Sequence, residues 1–126
     1  MVKYNPVMQK LTNKEEEIMM ILWKAGKAFV KDILAEFRGE KPHYNTLSTI
    51  VRNLEEKGYV SHEVFGNTHR YFPLITKEAY RKRFINATIA DYYDNSYKSL
   101  VSLFAREEKI SVKELKEIIA LIEKHK

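Results

Sequence analysis

The chain has 126 residues, 31% of them charged, with a net charge of +5, enough for one ordinary domain or two small lobes and weakly biased toward an acidic partner such as nucleic acid. It contains no cysteine, which excludes a disulfide framework and any thiolate metal site and fits a reducing, cytoplasmic setting. The N-terminal stretch MVKYNPVMQKLTNKEEE has no apolar signal core, and the longest apolar run, Ile18 to Trp23, is too short to span a bilayer, so a soluble protein without membrane insertion is expected.

Thr12 and Glu15 have the spacing of a capping box, and Ile18, Ile21, Leu22 and Ala25 continue as a helical stripe that ends at Gly26. A second, shorter stripe comprises Phe29, Ile33, Leu34 and Phe37 and stops at Gly39, with Pro42 beyond it. The third helix lies in KPHYNTLSTIVRNLEEKGYV, Lys41 to Val60, where Leu47, Ile50, Val51 and Leu54 form one buried side and Gly58 closes the element. YVSHEVF and HRYFPL, rich in β-branched and aromatic residues, flank the turn signal GNT and predict a β-hairpin.

Three helices followed by a hairpin is the order of a winged helix-turn-helix, with the third helix as recognition helix and the hairpin as wing. Opposite its apolar stripe the third helix carries Asn45, Ser48, Thr49, Arg52 and Glu56. Ser, Thr and Asn are mediocre helix formers, so a face rich in them gives up intrinsic propensity. Glu55 and Glu56 at the far end would be repelled by phosphates, which aims the end bearing Tyr44, Asn45, Ser48 and Thr49 into a groove. Short side chains there allow close approach to base edges, Asn can pair with adenine, and Thr offers a hydroxyl or a methyl to thymine. Arg52 and the wing's Arg70 are the candidates for phosphate contacts, the alternative for Arg70 being a pair with a neighbouring carboxylate.

Beyond Pro73 the pattern becomes purely helical, with segments starting after Thr76, near Ser96 and at Ser111, where Glu114 completes a second capping box. The stripes are Phe84, Ile85, Ile89 and Tyr92; then Tyr97, Leu100, Val101 and Phe104; then Leu115, Ile118, Ile119 and Ile122. About fifty residues cannot bury three such stripes alone, and a second copy would complete the core. The expected division is therefore a winged-helix DNA-binding domain over 1–75 and a helical dimerisation domain over 76–126, mainly α with a small β-hairpin.

With these elements in place, the chain resembles the BlaI/MecI (penicillinase repressor) family of bacterial transcriptional repressors. The resemblance rests on LTNKEEEIMMILW in the first helix, YNTLSTIVRNLEEKGYV in the third, RYFP in the wing and FIN…SLVSLF in the C-terminal part. It implies a homodimer that represses by occupying an inverted-repeat DNA operator, commonly with TACA and TGTA half-elements, in the regulation of antibiotic resistance. The family's base-contacting positions fall on Asn45, Ser48 and Thr49, with Thr46 beside them; the family often has basic residues where this chain has Asn45 and Ser48. In resistance members a membrane sensor-protease triggers cleavage of the repressor, and that position falls at Leu103–Phe104, Leu103 standing where a family example has Asn. A copper-sensing branch uses a C-terminal cysteine cluster, which this chain lacks.

Other residues have blander readings. Trp23 among Ile and Met at helical spacing is expected to pack in the core. Tyr92, Tyr93 and Tyr97 suit a dimer interface, an effector pocket being the alternative. His43, His62, His69 and His125 lack zinc spacing, and the sequence has no phosphate loop, nucleophile elbow or cysteine nucleophile, so neither metal, cofactor nor catalysis is expected. The rival classes are a winged-helix protein-interaction module and a ligand-responsive regulator of the MarR type.

Overall fold

The computed structural model describes residues 10–125. Helix α1, Asn13–Ala25, opens with a reciprocal cap: the Glu15 N–H donates to Thr12 Oγ1 (3.2 Å) and the Thr12 N–H to Glu15 Oε1 (2.9 Å). It ends at Gly26, whose φ of 84° suits glycine. Its buried side is Glu15, Ile18, Met19 and Leu22. The expected stripe is thus rotated: Met19 is enclosed, Ile21 is half-buried and Ala25 is exposed.

The second correction concerns Phe29. Rather than beginning a helix, it lies in a two-residue strand, β1 (Ala28–Phe29), and is the N-cap of α2, Val30–Glu36. Its N–H is satisfied by the Asp32 carboxylate at 3.2 Å. Helix α3, Tyr44–Glu56, buries Leu47, Val51 and Leu54 completely, whereas Ile50 is only half-buried. It closes in a Schellman motif around Gly58 (φ 86°): Tyr59 N–H donates to Leu54 O at 3.0 Å and Gly58 N–H to Glu55 O at 3.0 Å.

Strands β2 (Val60–Phe65) and β3 (Thr68–Pro73) form the hairpin, and β1 adds to its far side, giving an antiparallel sheet of order β1-β3-β2. The register pairs His62 with Tyr71, Glu63 with Arg70 and Phe29 with Arg70. Successive residues of a strand face opposite sides. His62, His69 and Tyr71 therefore share one face and Glu63, Phe65 and Arg70 the other. Helices α1, α2 and α3 and this sheet enclose one core, including Ile18, Leu22, Ile33, Leu47, Val51 and Val60. The arrangement is a winged helix.

Two compact units divide between Tyr80 and Arg81. This falls inside α4, Lys77–Tyr92, because Tyr80 is anchored in the first unit: its ring lies 5.4 Å from Trp23, and its hydroxyl donates to Glu16 at 3.0 Å. Burial and that carboxylate push the Tyr80 phenol well up, so it stays a neutral donor. Trp23 is a satisfied packing residue, its indole N–H donating to Ile75 O at 2.8 Å. The second unit continues through α5, Tyr97–Arg106, and α6, Val112–Lys124, each started by a serine cap, Ser96 and Ser111.

Candidate nucleic-acid interface

Helix α3 is built without a side-chain N-cap and without acidic residues in its first turn. Its exposed N-terminal end consequently carries no negative side chain to oppose an approaching phosphate. Asn45, Thr46, Thr49 and Arg52 are exposed, as is Tyr44, while Ser48 is half-buried. Thr49 Oγ1 donates to Asn45 O at 3.0 Å and accepts from Arg52 Nη2 at 3.4 Å. The hydroxyl is thereby committed to the helix, and the methyl is the group left for another surface.

Between α3 and the wing runs a cleft of about 420 Å³ lined by Tyr44, Ser48 and Arg52 from α3, Val30 and Lys31 from α2, Phe29, and Asn67, Thr68, His69 and Tyr71 from the hairpin. No carboxylate lines it. Lys31, Asn67, Thr68 and His69 were not legible as site residues in the sequence: they meet α3 only through the tertiary fold, and turn residues between strands carry no periodic signal.

Arg70 is not in this cleft. It lies on the opposite face of the hairpin, with its guanidinium Nη2 3.0 Å from Glu63 Oε1 and its charge 4.7 Å from the Phe65 ring centre. Lys27 donates to the same Glu63 oxygen at 3.1 Å, and these two cations hold the Glu63 carboxyl below its ordinary range. Of the two sequence alternatives for Arg70, the geometry is that of the carboxylate pair.

On the cleft side, His62 and His69 stack with centroids 4.0 Å apart, and His62 Nδ1 is 2.8 Å from Glu55 Oε2. Burial first, then the nearby Glu55 charge, raises the Tyr71 phenol, keeping it neutral. Among the described residues no group of three or more His, Cys, Asp or Glu side chains could hold a metal ion, and no helix is long and apolar enough to cross a membrane.

In the second unit the apolar stripes of α5 and α6 lie largely uncovered. Val101, Phe104, Ile118, Ile119 and Ile122 are exposed, Leu100, Leu103 and Leu115 half-buried. On α4, Phe84, Ile85 and Tyr92 are exposed, Tyr92 at 79%. Ile89 differs: at 1% exposure it is already covered within the single chain and has almost no surface to offer a second copy. Tyr97 donates its hydroxyl to Asn86 Oδ1 at 2.9 Å, tying α5 to α4.

A sequence model of the family described as Penicillinase repressor matches residues 11–124. The chain belongs to the penicillinase repressor family. Relatives in this family include the Penicillinase repressor of Bacillus licheniformis, 23% identical over 118 residues, covering 93% of this chain and 92% of that protein. The Methicillin resistance regulatory protein MecI of Staphylococcus aureus (strain N315) is 23% identical over 116 residues, covering 91% and 94%. Among solved structures, the DNA binding domain of the repressor BlaI aligns at TM-score 0.51 and 23% identity over 58% of this chain and 90% of that one. The hsRosR-S4 complex aligns at TM-score 0.50 and 18% identity over 81% and 92%. These likenesses establish that the winged-helix fold of this penicillinase repressor family member is shared.

Proposed function

We propose that this penicillinase repressor family member is a sequence-specific DNA-binding transcriptional repressor acting as a homodimer on an inverted-repeat operator. The observation that carries the reading is the α3 surface itself. A helix in the recognition position presents Asn45, Ser48 and Thr49, short and uncharged, beside a cleft lined by Lys31 and Arg52 and by no carboxylate. Short polar groups suit base edges, and cations suit the flanking strand. Tyr44 and Thr46 border the same surface.

The second unit supplies the pairing. The exposed stripes on α5 and α6 are the kind of surface that a second copy buries, and a two-fold dimer brings two α3 helices to one palindrome. Repression is then occlusion, with the dimer linkage raising affinity beyond that of one head. The regulated gene is expected to serve antibiotic resistance, as the relatives' names suggest.

Relief by a membrane sensor-protease cutting at Leu103–Phe104 fits this design, with one structural condition. The bond is inside α5, where Leu103 O accepts from Glu107 N–H at 3.0 Å and Phe104 O from Lys109 N–H at 2.8 Å. Proteases bind extended chain, so the last turn of α5 must unwind before cleavage there.

The test is fluorescence-anisotropy binding to the protein's own upstream DNA and to a shuffled duplex of equal length, at two salt concentrations. Tight binding only to the native duplex, two protomers per duplex, supports the reading. Equal, strongly salt-dependent binding to both would reject sequence-specific repression at that promoter.

A further inference from the structure

One arrangement in the cleft is not used by base reading. The His62 and His69 rings are parallel to within 8°, and Tyr71 flanks them at 5.6 and 6.1 Å. His62 is tethered to Glu55, whereas His69 lines the cleft with Lys31 and Arg52. At 4.0 Å the two rings lie close enough for a charge on one to be felt by the other. An anion entering the cleft favours a proton on the ring it touches.

We propose that His69 is a phosphate-contacting residue of the α3–wing cleft and that filling this subsite with a DNA phosphate takes up a proton, so that the stacked histidines couple DNA binding to pH. The proposal rests on the DNA-binding reading and deepens it. A winged helix with α3 in the major groove passes one strand between that helix and the wing. His69 shares the cleft with Lys31 from α2 and Tyr44 and Arg52 from α3, stacks on His62 from β2 and is flanked by Tyr71 from β3, while Glu55 from α3 reaches His62. Lys31 and Arg52 are the cations that would share a phosphate with His69. Glu55 is engaged by His62, and burial keeps the Tyr71 phenol neutral. Thr68 and Asn67 add polar groups from the turn.

The sign follows directly. Histidine changes charge between about pH 5 and 8, so proton uptake on binding makes affinity highest at the acid end and weaker as pH rises. The contact is to phosphate, so sequence-specific and shuffled duplexes share the dependence.

The experiment is anisotropy binding of the full chain to its upstream duplex and to the shuffled duplex across that pH range at constant ionic strength. Wild-type affinity should fall by up to about tenfold per pH unit in part of the window, the limit for one proton. His69→Gln should flatten the profile at the wild-type alkaline affinity. His69→Lys should bind tightly with no dependence, and circular dichroism should show both variants folded. A flat wild-type profile, or a wild-type slope retained in His69→Gln, would overturn the proposal while leaving DNA binding intact. Failure to bind either duplex at any pH would overturn the DNA-binding reading and this inference with it.

Discussion

Lys57, the C-cap of α3, places its ammonium 2.8 Å from both carboxylate oxygens of Glu15, in the first turn of α1. Glu15 is 4% exposed, and its outer partner Thr12 holds it through the cap. Helix α3 is thus locked to the start of the chain's first helix by one charge pair. Burial pushes the Glu15 carboxyl up, but Lys57 and the Thr12 bonds outweigh it, and the group ends below its ordinary range.

Replacing Lys57 with Met leaves that carboxylate without its cation. The expected loss is about 2 kcal/mol at neutral pH, less than for a fully buried pair because Lys57 keeps partial contact with water. Since the folded carboxyl is depressed, its stabilisation is present above the unfolded carboxylate range and lost as pH falls through the lower folded value. Urea melts of wild type and Lys57→Met at neutral and acid pH should therefore converge at the acid end; a gap independent of pH would refute the assignment.

Arg52 and Arg70 should separate cleanly. Arg52→Gln is expected to weaken binding to native and shuffled DNA alike and to lower the slope of log affinity against log salt by about 1. Arg70→Gln, which breaks a half-buried pair on the other face, should leave that slope unchanged. Salt titrations of both variants decide it; an equal loss of slope would place Arg70 on the DNA after all.

Thr49 offers a test of which half of its side chain reads a base. With the hydroxyl engaged by Asn45 O and Arg52, Thr49→Val should keep discrimination at a contacted thymine, whereas Thr49→Ser should lose about 1 kcal/mol of it. Competition binding with uracil in place of thymine reports the methyl directly. The reverse ranking would show that the hydroxyl does the reading.

Ile119 and Ile122 are 52% and 59% exposed on α6. If this stripe is the pairing surface, Ile119→Glu should weaken self-association by about 3 kcal/mol, roughly a hundredfold, and weaken operator binding with it. Sedimentation equilibrium measures the first. An unchanged dimer would move the interface to α4, where Phe84 and Tyr92 lie exposed.

Glu108 occupies a left-handed position, φ 59°, in a Schellman motif that ends α5: Glu108 N–H donates to Ala105 O at 3.1 Å and Lys109 N–H to Phe104 O at 2.8 Å. The same motif ends α3 with Gly58. Glu108→Gly should relieve about 1 kcal/mol of backbone strain and slow proteolysis in the last turn of α5. Thermal melts at fixed protein concentration and limited digestion would show it; a lower melting temperature would contradict it.

Much of this fold was written in local signals. Both capping boxes, the glycine after α3 and the Gly66 turn are chemical marks that act within a few residues, and they are where the structure has them. The two-residue strand β1 was invisible because Ala28 and Phe29 are too few to alternate, and Phe29 fits a helical stripe equally well. Met19 displaced Ala25 from the core because a helical pattern defines a face only to within a residue or so. The α3 face was readable from its side chains. The cleft was not, since Lys31 and His69 become neighbours only when the hairpin folds back on the helices, and the side of the hairpin that Arg70 takes follows only from the strand register, which sets it opposite to Tyr71.

The short strand beside β3 has a mechanical consequence. Pairing Ala28 with Tyr71 and Phe29 with Arg70 straps the returning arm of the hairpin to the chain just before α2, so the wing is a braced beam rather than a cantilever. A load applied at its tip is delivered to the Gly26 corner and to the base of α2. Loosening that strap would leave α3 intact yet free the wing, making the stiffness of two residues a quantity on which the spacing between helix and wing depends.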